Sequence, residues 1–82
     1  MSERISVEEQ KDFHNRFGKR VTLARREIGL TQKGLAARAK ISQAGLSAIE
    51  SGMSSPSIDT AAKIACALGT TIGFLLGEEE TK

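Results

Sequence analysis

The sequence predicts an all-α fold of five short helices, and three observations carry that prediction. Apolar residues recur at intervals of three and four rather than in strict alternation. Ser and Thr stand ahead of the apolar stretches and Gly behind them, in the order of helix starts and stops. The core-forming residues are Leu, Ile, Val and Ala, with three Phe and no Trp or Tyr, a choice that suits helices better than strands. Eighty-two residues suffice for one domain around one core.

Each helix can be justified in turn. Ser6 with Glu9 makes a capping box, the hydroxyl accepting from the backbone while the carboxylate reaches back. Phe13, Phe17, Val21, Ala24 and Ile28 then line one face of helix 1, and Gly29 stops it. Thr31 caps helix 2, with Leu35, Ala36 and Ala39 inward. Ser42 caps helix 3, with Leu46 and Ile49 inward and Gly52 behind. Ser57, after Pro56, caps helix 4, whose inward set is Ile58, Ala61, Ile64, Ala65 and Leu68 before Gly69. Thr71 caps a last helix, Ile72 to Leu76, closed by Gly77. Residues 1–14 thus read as an N-terminal extension of helix 1 and 15–77 as the folded unit. Residues 78–82 read as a polar tail expected to fray.

Composition narrows the class of function. Hydrophobic residues at 39% and charged residues at 27% are ordinary for a globular chain. No apolar run approaches the roughly 20 residues of a membrane span, and the start MSERISVEEQ lacks the apolar stretch of a signal peptide. The single cysteine, Cys66, has no partner for an internal disulfide, and a cytoplasmic protein is expected. The net charge of +2 hides an uneven distribution: residues 1–15 carry −2, residues 16–40 carry +7, and residues 41–82 carry −3. Concentrated positive charge favours a polyanion partner through counterion release; a merely solvated helix face is the bland alternative.

Between Thr31 and Gly52 two short helices are joined by Ala39 to Ile41. That is the length of a helix-turn-helix connection, whose second helix enters the DNA major groove. Ala36 is small where the two backbones approach, and Leu35, Ile41, Leu46 and Ile49 close over a core. Gln43, Ala44, Ser47 and Ala48 are left facing out, a small uncharged surface able to lie flat against base edges. The run GLTQKGLAARAKISQAGLSAIESGMSSPS resembles the DNA-binding core of the lambda repressor and Cro-like (XRE) family. The similarity lies in Gly29 to Gln32, in Leu35-Ala36, and in Glu50 with Gly52 and Pro56. It extends over roughly residues 15–77, including Phe17-Gly18, Val21 and Arg25 of helix 1.

The resemblance implies a compact five-helix lambda-repressor-like domain with its helix-turn-helix at helices 2 and 3. It also implies roles. Gln43 would read a base, and an amide can bond adenine N6 and N7 together; Ala44 would meet a thymine methyl, with Ser47 and Ala48 over the next base pairs. Gln32 would contact a phosphate and brace Gln43. Thr31, Lys33, Lys40, Ser42 and the loop residues Ser51 and Ser54 are further phosphate candidates, which position without reading sequence. Arg25 and Glu50 would pair between helix 1 and the end of helix 3. Ile72, Phe74, Leu75 and Leu76 would form a homodimer seam, placing two recognition helices on a two-fold symmetric operator; the alternative is that Phe74 folds back onto helix 1. The implied function is a dimeric transcription regulator, a repressor of phage or restriction–modification-controller type. The alternative is an antitoxin that holds a toxin protein and regulates its own operon.

Three positions depart from the family pattern. Lys40 stands where the turn usually has Gly, which forces either a strained positive φ or a differently shaped turn. Gly34 weakens helix 2 by roughly 1 kcal/mol relative to Ala. Residues 53–55 read Met-Ser-Ser rather than basic, so phosphate contacts there would rest on N–H groups and hydroxyls. His14 stands alone and is expected to be exposed, and Cys66 to be half-buried. No metal-ligand spacing, nucleophile–base pair or phosphate-cradling loop can be read, so neither a cofactor nor an enzymatic activity is expected.

Overall fold

The computed structural model describes residues 7–77, with side chains from Asp12 onward. Five helices follow one another: α1 (Val7–Glu27), α2 (Gln32–Ala39), α3 (Gln43–Glu50), α4 (Ile58–Leu68) and α5 (Ile72–Leu75). The capping box at Ser6 and Glu9 lies outside the described residues, as does the tail 78–82. The other four caps have the expected chemistry. Thr31, Ser42, Ser57 and Thr71 are extended in backbone, and each side-chain oxygen accepts the N–H three residues on, from Gly34, Gly45, Thr60 and Phe74.

The core follows from which faces these helices bury. Phe17 and Val21 of α1, Leu35, Ala36 and Ala39 of α2, Leu46 and Ile49 of α3, and Ala61, Ile64 and Ala65 of α4 form one cluster. Leu75 closes it from α5, fully buried. Helix α1 packs on α3, α2 packs on both α3 and α4, and α5 seals the joint between α1 and α4. The helix-turn-helix pair is therefore held on two sides rather than standing free.

The periodicity misplaced three residues. Ile28 is 49% exposed because α1 ends at Glu27, and the chain turns away before another helix covers it. Ile58, the first residue of α4, is 79% exposed. Its spacing is right, but it borders an open groove shared with α1 and α5 rather than a filled core. Cys66 is exposed rather than half-buried, being rotated off the face defined by Ala61, Ile64 and Ala65.

The turn between α2 and α3 resolves the Lys40 question. Lys40 adopts φ 60° and ψ 45°, the only positive φ of a non-glycine among the described residues. Its N–H donates to Ala37 O at 3.2 Å, and the N–H of Ile41 donates to Ala36 O at 3.0 Å. This double closure of a helix C-terminus requires a left-handed residue at Lys40, and Ile41 is drawn against the core as a consequence. A side chain in that conformation costs about 1–2 kcal/mol, of which the greater freedom of unfolded glycine would cancel roughly 0.5–1 kcal/mol. Lys40→Gly is therefore expected to stabilise the fold by about 0.5–1 kcal/mol, measured as a higher denaturation midpoint at unchanged slope.

Candidate nucleic-acid interface

Helix α3 is only eight residues long, so its aim depends on what anchors its two ends. At the start, Ser42 Oγ accepts from Gly45 N at 2.9 Å. Leu46 and Ile49 fix its roll by entering the core. On the opposite side Gln43, Ala44 and Ser47 are exposed and Ala48 is half-buried, so all four base-reading candidates lie on one uncharged strip.

The far end is held by ion pairing. Arg25 of α1 donates through Nε to Glu50 Oε2 at 2.7 Å and through Nη2 to Oε1 at 3.0 Å, a two-pronged contact. The Arg25 Nη1 donates to Leu30 O at 2.9 Å, so the guanidinium also fixes the chain entering α2. Both side chains are nearly enclosed, at 10% and 5% exposure. Gln32 of α2 adds a third donor, Nε2 to Glu50 Oε1 at 3.0 Å. Burial by itself would push the Glu50 carboxyl up; hydrogen bonds from Arg25, Gln32 and Thr22, with the Arg25 charge, outweigh it and leave the carboxyl below its ordinary value. The Arg25 guanidinium is raised in turn, chiefly by its hydrogen bond to Glu50.

Gln32 therefore differs from its expected role. Its amide is turned inward to Glu50 rather than toward Gln43, because a charged acceptor binds an N–H more strongly than a neutral side chain does. The loop after α3 also needs correction. The N–H groups of Ser51, Gly52, Met53 and Ser54 are all committed to carbonyls of α3, on Ser47, Ile49 and Ala48. These amides cannot serve a phosphate, and Ser51 Oγ likewise donates to Ala48 O at 3.0 Å. Better placed are Thr31 and Ser42. Each hydroxyl accepts a capping N–H and keeps its own proton, which can be donated outward to a phosphate oxygen. Lys33 and Lys40 are both exposed beside these caps.

Sequence reasoning missed two anchoring contacts. Gly18 is buried in the middle of α1, where a Cβ would drive into the backbone carbonyls of Ile49 and Glu50. The signal was a glycine inside a long helix, which costs about 1 kcal/mol and so requires a packing reason. The second is Arg20, whose Nε donates to Phe74 O at 2.9 Å while its guanidinium lies 5.2 Å from the Phe74 ring centroid. Phe74 thus folds back onto α1, and Leu75, at 0% exposure, lies wholly inside its own protomer. Ile72 and Leu76 instead line an apolar groove of about 280 Å³ with Phe13, Pro56 and Ile58. His14 is half-buried at the same groove rather than exposed. No helix among the described residues is long and apolar enough to cross a membrane.

A family model described as helix-turn-helix, HTH_3, matches residues 22–75, the span from the middle of α1 to the end of α5. The chain belongs to this helix-turn-helix family. That family is of the lambda-repressor-like (XRE) type. The chain is similar to an immunity repressor protein of Bacillus phage phi105, with 39% identity over 62 residues. That match takes in 76% of this chain but 43% of the phage protein, so the chain spans less than half of that relative. Two solved structures share the fold. The restriction-modification controller protein C.AhdI of Aeromonas hydrophila is 28% identical, with a TM-score of 0.72 over 74% of this chain and 92% of its own. The clp gene regulator ClgR of C. glutamicum is 27% identical, with a TM-score of 0.76 over 80% of this chain and 85% of its own.

The ion pair sets an acid dependence with a definite sign. Folding lowers the Glu50 pKa, so the unfolded chain takes up that proton first as pH falls. Its contribution is complete above the ordinary glutamate value of about 4.3 and is lost as pH drops through the lower folded value. Denaturant titrations across this range should show a flatter acid limb for Glu50→Gln than for the wild type. Glu50→Ala, which strands the Arg25 charge, is expected to cost about 3–5 kcal/mol at neutral pH; a loss under about 1 kcal/mol would mean that the pair behaves as a surface one.

Proposed function

We propose that this helix-turn-helix regulator binds a two-fold symmetric double-stranded operator as a homodimer and represses transcription. The observation that carries the reading is the outward strip of α3, where Gln43, Ala44 and Ser47 are exposed and uncharged. That strip sits on a helix whose far end is held by Arg25 and Gln32 through Glu50. A surface so small and so firmly aimed suits close approach to base edges in the major groove. Gln43 then reads adenine through N6 and N7; Ala44 meets a thymine methyl, and Ser47 and Ala48 face the next base pairs. Thr31 and Ser42 donate their free hydroxyl protons to phosphates, with Lys33 and Lys40 beside them; Ser51 and Ser54 contribute at most hydroxyl contacts. Gln32 positions α3 through Glu50. The repressor assignment draws support from the likeness to a phage immunity repressor and to a restriction-modification controller.

The homodimer face proposed here differs from the sequence expectation. It keeps Ile72 and Leu76, leaves out Phe74 and Leu75, and gains Phe13 and Ile58 around the apolar groove. Ile58 stands 79% exposed directly after the loop that leaves α3. Pairing through it brings two recognition helices to the same side of a two-fold axis. Ile58 on the surface of a lone protomer is otherwise a large apolar side chain with nothing to cover it.

Two measurements test this reading. A double-mutant cycle between Gln43→Ala and each base pair of a selected operator should show coupling at one A·T position per half-site, of about 1–3 kcal/mol. Wild-type ranking of every operator variant by Gln43→Ala would remove Gln43 from base reading. Separately, Ile58→Glu should weaken dimerisation about tenfold or more in sedimentation while leaving helicity intact, since Ile58 supports none of the core. An unchanged dimer constant would exclude the groove as the seam.

A further inference from the structure

A second notch lies on the outer side of α1, away from the apolar groove, with a volume of about 160 Å³. Its lining is Arg20, Leu23, Ala24 and Glu27 of α1, with Phe74 of α5. The α1 residues follow the spacing of three, four and seven that makes one stripe along a helix. Leu23 at its centre is 61% exposed. Arg20 is fixed at one end by its bond to Phe74 O and its seat over the Phe74 ring. At the other end is Glu27, the only acid between residues 16 and 40. It stands in the last turn of α1, where the helix macrodipole disfavours negative charge, and it has no ion pair among the described residues.

This arrangement is self-complementary. When two copies lay α1 against α1 antiparallel, with the two-fold axis between Leu23 and Ala24, Arg20 of each meets Glu27 of the other. Leu23 of each then closes against Ala24 of the other, between the two ion pairs. The match requires the two charges to be equally far from the axis, which positions 20 and 27 satisfy. Their separation along the helix is about 10 Å, enough to hold an apolar centre between charged rims. We propose that this stripe is a second self-docking face, which joins one copy to another independently of the Ile58 groove. The inference rests on the homodimer reading only in assigning that groove to the first contact.

The test uses the full chain in sedimentation velocity, with and without DNA carrying two operators. Glu27→Arg puts like charges at both ends of the seam and is expected to weaken association beyond the dimer about tenfold or more. Leu23→Lys, at an exposed position that no fold contact needs, should do the same. Mixing Glu27→Arg chains with Arg20→Glu chains should restore the contact that neither makes alone, because each then presents the charges the other lacks. Ile58→Glu in parallel separates the two readings, since it breaks the first contact and not this one. Should Glu27→Arg and Leu23→Lys leave every association step at its wild-type strength, the inference is overturned, whatever Ile58→Glu does. If Glu27→Arg abolishes dimers that Ile58→Glu leaves intact, the notch is upheld as a self-docking face and the groove assignment falls.

Discussion

The carboxylate of Glu50 is the point at which α1, the entry to α2, and α3 are tied together. Arg25 reaches it with two nitrogens, Gln32 adds a third donor, and the remaining Arg25 prong holds the Leu30 carbonyl. A pair this enclosed does not gain much over a well-packed apolar contact, because desolvation offsets most of the attraction. Its value is directional. A planar guanidinium against a carboxylate allows one distance and one orientation, so the last turn of an eight-residue helix is held where packing by Leu46 and Ile49 alone would leave it free to tilt. Gly18 completes the clamp, because the missing side chain lets α1 approach the Ile49 and Glu50 carbonyls closely.

That clamp is what lets the strip proposed to read bases be so plain. Gln43, Ala44, Ser47 and Ala48 carry no charge, so the strip contributes little long-range attraction to a polyanion. Attraction has to come from elsewhere on the surface, and the basic block of residues 16–40 divides accordingly. Arg25 is neutralised inside the fold, and Arg20 is engaged with α5. Arg16, Lys19, Arg26, Lys33, Arg38 and Lys40 remain exposed. In the proposed function, aim is set by a buried pair and attraction by a diffuse surface charge, two tasks with opposite demands on dielectric environment.

Much of the architecture could be read directly from the chain. Four of the five N-caps, the helix stops, and the inward sets of α2 and α3 are local properties, fixed by hydrogen-bonding groups three residues apart and by a period of 3.6. The Arg25–Glu50 contact followed from resemblance rather than from spacing, since its members are 25 positions apart. Lys40 shows where local reading reaches its limit. The sequence marked the strained position but left two turn shapes open; the structure takes the left-handed form, in which the Ile41 amide closes on Ala36 O and the side chain packs against the core.

What the sequence by itself determined is therefore the set of helices, the core faces of the central pair, and the family to which they belong. Tertiary structure decided which apolar and polar side chains at the edges of that set are used and for what. Periodicity assigns a face but not how far a neighbouring helix extends over it, so Ile28 and Ile58 emerged on the surface while Leu75 went inside. Polar groups obey a similar rule. Gln32 could address a phosphate, Gln43 or Glu50, and only the packing of α1 against α3 placed a charged acceptor within 3.0 Å of its amide. Burial is a property of partners distant in sequence, and no local pattern records where those partners end.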